Sequence, residues 1–217
     1  MRREQKLTRR RFCLLVAAVP AWQAGPPESR SYYGGFRVAI QSGCYRKFSL
    51  EETIVKVNEA RVKYLELSPA HAELAKLETR EVRDLRRRLL DAGLSVHTYG
   101  VVDLRQGGRK ERETLFRRAQ EFGLKTLLVS ADRALMKELD RLANRYRVNV
   151  ALHNDRQAPD AVWEAIRESS PLCGAAVDTG NYLSAGHDPR AAIEKLKGRI
   201  FSVHLQGILG PGQADVP

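Results

Sequence analysis

Two short apolar runs in the second half of the chain end on side chains that can ligate a metal or carry a proton. Gly174-Ala175-Ala176-Val177-Asp178-Thr179-Gly180-Asn181 closes its apolar stretch on Asp178, and Ile200-Phe201-Ser202-Val203-His204-Leu205 closes on His204. Asp188-Pro189 opens a helical stretch between them, so the unit reads strand, helix, strand. Parallel strands with such residues at their carboxyl ends are how (β/α)-barrel sites are assembled. Glu66, His97 and His153 fall within or at the carboxyl half of other predicted strands, and His71 lies just beyond one of them. A single histidine near a core reads first as a hydrogen-bonded structural residue. Several such groups on one rim, with no matching set at the amino ends, read as a site.

The elements that must position these residues alternate along the chain. Apolar, β-branched runs predict strands over 36–41, 62–67, 94–102, 125–130, 148–152, 175–177 and 200–205. Helices fall between them. Ser49-Leu50-Glu51-Glu52 is a capping box opening the first, and apolar residues at helical spacing mark others over 81–92, 111–122, 160–168 and 189–196. Leu135, Leu139, Leu142 and Tyr146 mark one more. Gly93 and Gly123 close two of these helices. The strands are apolar on both faces, which fits a parallel sheet covered by helices. Ser42-Gly43-Cys44-Tyr45 after the first strand is neither a dinucleotide fingerprint nor a P-loop, so a closed α/β barrel is favoured over a Rossmann sheet.

At 217 residues the chain suits one well-buried domain. Its formal charge of +11 invites a nucleic-acid reading. About +5 of that charge sits in residues 1–24, and the rest is scattered over predicted helices as a solvated exterior, so no nucleic-acid partner is expected. Thr8-Arg9-Arg10-Arg11-Phe12-Cys13-Leu14 followed by the uncharged stretch 14–21 resembles a twin-arginine export signal. The expected organisation is a signal over 1–24, a Gly/Pro linker over 25–35 and a barrel over 36–217, exported to the periplasm or beyond. The apolar run is far shorter than the roughly 20 residues a membrane span needs, so no stable insertion is expected. Cys44 and Cys173 fall at opposite ends of predicted strands and no disulfide between them is expected.

The strand-end motifs resemble those of the xylose isomerase-like TIM-barrel superfamily, the sugar phosphate isomerases and epimerases. They are Val38-Ala39-Ile40-Gln41-Ser42, Tyr64-Leu65-Glu66-Leu67-Ser68-Pro69-Ala70-His71, Leu152-His153-Asn154-Asp155, Val177-Asp178-Thr179-Gly180-Asn181 and Gly198-Arg199-Ile200-Phe201-Ser202-Val203-His204-Leu205-Gln206. The resemblance implies a (β/α) TIM-type barrel holding a divalent ion with residues from strands five to eight. Asp178 and His204 stand at the strand-six and strand-seven ligand positions, and His153 stands at the strand-five position, where Glu is usual. Such a mixed set suits Mn, Co, Zn or Fe better than Mg. Asn181 stands where related epimerases have a substrate-contacting histidine, and Gln206 where many members have Lys. Asn181, His71 and His97 are expected to bind substrate.

No counterpart of the strand-eight Glu is present. Leu209-Gly210-Pro211-Gly212-Gln213-Ala214-Asp215 resembles the glycine-rich loop that follows strand seven. The expectation is an incomplete barrel of seven strands with the eighth βα unit missing. It would be a truncated product, an incomplete relative, or a chain whose partner, such as another copy in a homo-oligomer, supplies the strand. The implied reaction is isomerisation or epimerisation of a sugar or sugar phosphate by proton transfer through an enediolate, with the metal as Lewis acid and Glu66 as the catalytic carboxylate. Two other readings remain. A non-catalytic exported sugar-binding or remnant barrel is favoured by Asn181, Gln206 and the missing strand. An endonuclease IV-like nuclease is invited by the charge, but the chain lacks that enzyme's larger ligand cluster.

Overall fold

The computed structural model describes residues 32–207. The expected signal, most of the linker and the glycine-rich segment after strand seven lie outside the described residues. Seven strands form one sheet, all parallel and in sequence order. They are β1 (Ala39–Gln41), β2 (Tyr64–Leu67), β3 (Ser95–Asp103), β4 (Thr126–Ser130), β5 (Asn149–His153), β6 (Cys173–Asp178) and β7 (Ile200–His204). The helices are α1 (Leu50–Glu59), α2 (Thr79–Asp91), α3 (Arg109–Phe122), α4 (Arg133–Tyr146), α5 (Pro159–Ile166), α6 (Thr179–Ser184) and α7 (Pro189–Leu196). The sheet curls into a half-barrel with β1 and β7 at its edges. Its ends approach closely enough for His204 on β7 to meet Glu66 on β2. This is an incomplete (β/α) barrel, as the alternation in the sequence requires.

Local chemistry explains the elements. Ser49 and Glu52 satisfy each other's backbone amides at the start of α1, the reciprocal cap its sequence signals. On α2 the buried residues Val82, Leu85 and Leu89 recur at helical spacing, and the main core lies between such faces and the outer side of the sheet. The inner side is filled by Leu128, Ala151 and Ala176, with Val101 and Phe201 packed on them. Inner and outer residues alternate along β5 and β6, so Val150 and Leu152 face the helices while His153 ends the inner row.

Two differences from the sequence reading have physical causes. The first sheet strand is only Ala39–Gln41, because Phe36–Arg37 pairs antiparallel with Tyr32–Tyr33 instead. Gly34 and Gly35 turn that hairpin, both at positive φ, which glycine adopts without penalty. The short helix α6, absent from the sequence reading, is nucleated by Asp178, whose side chain caps the amide of Asn181. Cys44 and Cys173 are free thiols.

The position of β7 depends on a glycine. A Cβ on Gly174 would lie 2.3 Å from the Arg199 carbonyl oxygen and 2.9 Å from the Phe201 ring. Gly174→Ala should therefore push β7 off β6 and cost about 1–3 kcal/mol in denaturant unfolding. Gly108→Ala, which meets open space and only weakens the cap of α3, should cost less than about 1 kcal/mol.

Candidate metal centre

The tetrad Asp178-Thr179-Gly180-Asn181 builds the centre. Asp178 ends β6 and is buried, and its Oδ1 accepts from the Asn181 amide at 2.8 Å. That bond fixes the carboxylate and leaves Oδ2 facing β5 and β7. The Thr179 hydroxyl donates to the His204 carbonyl at 3.1 Å and accepts from the Gln206 amide at 3.2 Å, clamping the end of β7 to α6. Gly180 leaves room for the Gln206 side chain, whose Cβ would lie 2.9 Å from any side-chain carbon there. Asn154 holds the Asp178 peptide from the other side. Its amide nitrogen donates to the Asp178 carbonyl at 3.1 Å, and its oxygen accepts from the Asp178 N–H at 2.6 Å.

Around that fixed carboxylate stand two imidazoles. His153 Nε2 is 3.7 Å from Asp178 Oδ2, and His204 Nδ1 is 3.6 Å from the same oxygen. The remaining nitrogen of each ring is occupied: His153 Nδ1 lies 3.0 Å from Asp155 Oδ1, and His204 Nε2 lies 2.9 Å from Glu66 Oε1. When those nitrogens carry their protons toward the carboxylates, the lone pairs of His153 Nε2 and His204 Nδ1 point to Asp178 Oδ2. The three ligand atoms lie within 4.8 Å of one another. Donors bound tetrahedrally at 2.0–2.1 Å stand about 3.4 Å apart, so the group fits a divalent ion with small adjustments. Oriented imidazoles backed by carboxylates are the usual support for such a site.

The electrostatics follow from that crowding. Burial opposes charge on His204, but the Asp178 and Glu66 carboxylates outweigh it and push it up to about 9. Burial likewise opposes charge on His153, and hydrogen bonds to Asp155 and Asp178 raise it nonetheless. Asp178 is desolvated too, yet hydrogen bonds from both histidines and the Asn181 amide hold its carboxyl well below the usual range.

The structure brings His153, Asp178 and His204 together and seats Glu66 behind His204, where Oε1 also accepts from Gln41 Nε2 at 2.9 Å. Asn181 enters through its backbone amide. His71 is set apart in the loop after β2, with Nδ1 3.1 Å from the Ser42 hydroxyl and Nε2 3.0 Å from the Thr53 hydroxyl. His97, expected on the rim, sits near the amino end of β3 instead. The strand runs on for six residues beyond it to Asp103, close to the predicted end at 102, so His97 lies far from the carboxyl end. Its ring packs on Tyr64, 5.7 Å between centroids, and lines a cavity of about 330 Å³ with Arg86 and Lys125. Burial and the nearby Arg37 and Lys125 cations lower its pKa. Sequence reasoning missed Asn154, Asp155, Thr179 and Gln41 as contributors. Their signal was adjacency, since each lies within two residues of a predicted ligand or ends a strand on the same rim.

No family sequence model matches the chain, and no curated protein matches it by sequence. Solved structures do. An uncharacterised protein from Parabacteroides distasonis is 26% identical over 77% of this chain and 73% of its own, with a TM-score of 0.67. A xylose isomerase domain protein from Planctomyces limnophilus is 15% identical over 70% of this chain and 68% of its own, with a TM-score of 0.61. The fold is that of the xylose isomerase-like TIM barrels. Another barrel of this fold, the IolI protein with a bound zinc atom, is 13% identical over 77% of this chain and 72% of its own, with a TM-score of 0.60.

Two outcomes test this centre. Asn154→Ala would leave the buried N–H of Asp178 without its partner and take one of the bonds from its carbonyl, and should cost about 1–3 kcal/mol in chemical denaturation. Folded His204 has a raised pKa, so without metal its stabilisation is complete below its unfolded value of about 6.5 and is lost as pH rises through about 9. Metal must displace that same proton. Calorimetric titration with zinc should thus show affinity rising from pH 6 to 9, by about tenfold per pH unit for each proton released, and levelling above it.

Proposed function

We propose that this protein is a mononuclear divalent-metal-dependent isomerase or epimerase acting on a sugar or sugar phosphate. The convergence of His153 Nε2, Asp178 Oδ2 and His204 Nδ1 on one point at the carboxyl rim carries the reading. That rim is where (β/α) barrels assemble their sites, and a zinc atom bound by a barrel of the same fold supports it. His153, Asp178 and His204 would hold the ion; two imidazoles and a carboxylate suit Zn, Mn, Co or Fe. A bound divalent ion supplies Lewis-acid polarisation of a carbonyl oxygen.

The chain's own groups divide the remaining work. Asn154 and the Asn181 amide keep Asp178 from rotating. Glu66 accepts from Gln41 and meets His204 through Oε1, leaving Oε2 as the oxygen that would take a proton from a carbon next to the substrate carbonyl. Asn181 and Gln206 flank the centre and would bind substrate hydroxyls. The twin-arginine pattern at Arg9 and Arg10 supports export as part of this reading.

A second reading, sugar binding without turnover, is favoured by one observation: Glu66 is already engaged by two partners. Elemental analysis of the folded protein should find close to one divalent ion per chain, lost in Asp178→Ala and His204→Ala. Incubation with aldoses, ketoses and their phosphates in deuterated water should then exchange the carbon-bound proton beside the carbonyl, followed by NMR. Glu66→Gln should retain the metal and lose the exchange by at least about a hundredfold, within the range a positioned general base contributes. Metal without exchange on any substrate supports the binding reading, and a folded wild type without metal overturns the isomerase reading and leaves the binding one.

A further inference from the structure

We propose that Asp155 and Arg105 are positioning residues of the metal centre, Asp155 by fixing the ring and tautomer of His153, and Arg105 by holding Asp155 from the loop after β3. The proposal rests on the reading of His153, Asp178 and His204 as metal ligands. Asp155 Oδ1 stands 3.0 Å from His153 Nδ1 and accepts from the Ser130 hydroxyl at 2.8 Å. Its Oδ2 pairs with Arg105 Nη1 at 3.2 Å. Both oxygens of Asp155 are thereby committed, and the oxygen offered to His153 is fixed in direction by Ser130 from β4.

The backbone is bent to achieve this. Asp155 has φ of +24°, inside the left-handed region that a non-glycine residue enters at a cost. A residue serving only to turn the chain could be glycine, asparagine or aspartate, with its side chain in solvent. Here the side chain instead reaches back two residues to the imidazole.

Arg105 is itself held. Its Nε and Nη2 donate to the two oxygens of Asp103, each at 2.8 Å, and its amide donates to Asp103 Oδ1 at 3.0 Å. The loop that carries it is pinned by Arg112, a buried side chain that donates to the Gly107 carbonyl at 2.8 Å and pairs with Glu138 at 2.9 Å. A continuous set of contacts thus runs from the end of β3 through Arg105 and Asp155 to the lone pair of His153. An imidazole whose second nitrogen lacks such a partner turns freely and is a weaker ligand, and loss of the partner lowers metal affinity about 10- to 100-fold.

Cobalt(II) titration of the full chain, followed by its visible absorption, tests this. The wild type should bind one cobalt. Asp155→Ala should bind about 10- to 100-fold more weakly with shifted absorption bands, and Asp155→Asn, which keeps an acceptor oxygen but loses the charge, should fall between. Arg105→Ala should weaken binding severalfold, and Arg105→Lys should restore part of that loss. Thermal unfolding without metal identifies variants that fold; if Asp155→Ala does not, Asp155→Asn and the Arg105 pair carry the test. Folded Asp155 and Arg105 variants that bind cobalt as the wild type does, with unchanged spectra, overturn the proposal alone. A wild type that takes up no cobalt overturns the ligand reading and this proposal with it.

Discussion

The candidate centre is arranged around one buried carboxylate, that of Asp178, which cannot turn. Asp178 is held through its peptide by Asn154 and through Oδ1 by the Asn181 amide. With those three contacts in place, Oδ2 has one direction available, and both imidazoles face it. A carboxylate taken out of water is costly unless it is hydrogen-bonded and paired. The two histidines and the amide meet that cost together. The cap that starts α6 and the carboxylate that faces both imidazoles are therefore one residue, and neither role can be altered without the other.

The same logic holds the open sheet together at this end. Its edges β1 and β7 do not hydrogen-bond to each other. Gln41 on β1 donates to Glu66 on β2, and Glu66 meets His204 on β7, so side chains cross the gap that backbone pairing leaves. The other end of β7 is set by Arg199, whose guanidinium donates to the carbonyls of Ile166, Ser170 and Cys173. Thr179 then fixes its carboxyl end. A strand pinned at both ends can present His204 to within a few tenths of an ångström, which is the tolerance a metal ligand needs.

Much of the fold could be read from the sequence because parallel strands buried on both faces leave long apolar runs, and the Ser49 to Glu52 cap and Gly123 mark helix ends by local chemistry. The convergence of His153, Asp178 and His204 was readable for a related reason, since each closes an apolar run. What was misread was position along a strand. The span of β3 was legible to within one residue, and His97 stands third of its nine residues, so a histidine on a strand was counted with the rim although it lies toward the amino end. The hairpin at Gly34 and Gly35 was hidden by two glycines that read equally as linker. Asp155 and Asn154 were adjacent to a ligand, but whether such a neighbour supports the site or faces solvent depends on a backbone bend that no spacing rule encodes.

The charges close the argument about chemistry. Three carboxylates, Glu66, Asp155 and Asp178, contact two imidazoles. With both imidazoles protonated the five groups carry a net −1. With both neutral and one divalent ion between them, the sum is again −1. Protons and metal are thus electrostatically interchangeable here, and the raised pKa of His204 at about 9 is the proton's side of that exchange. The strand-five histidine, which looks like a departure from a carboxylate-rich pattern, is what makes this balance hold: a glutamate there would add a charge that only further protonation could offset.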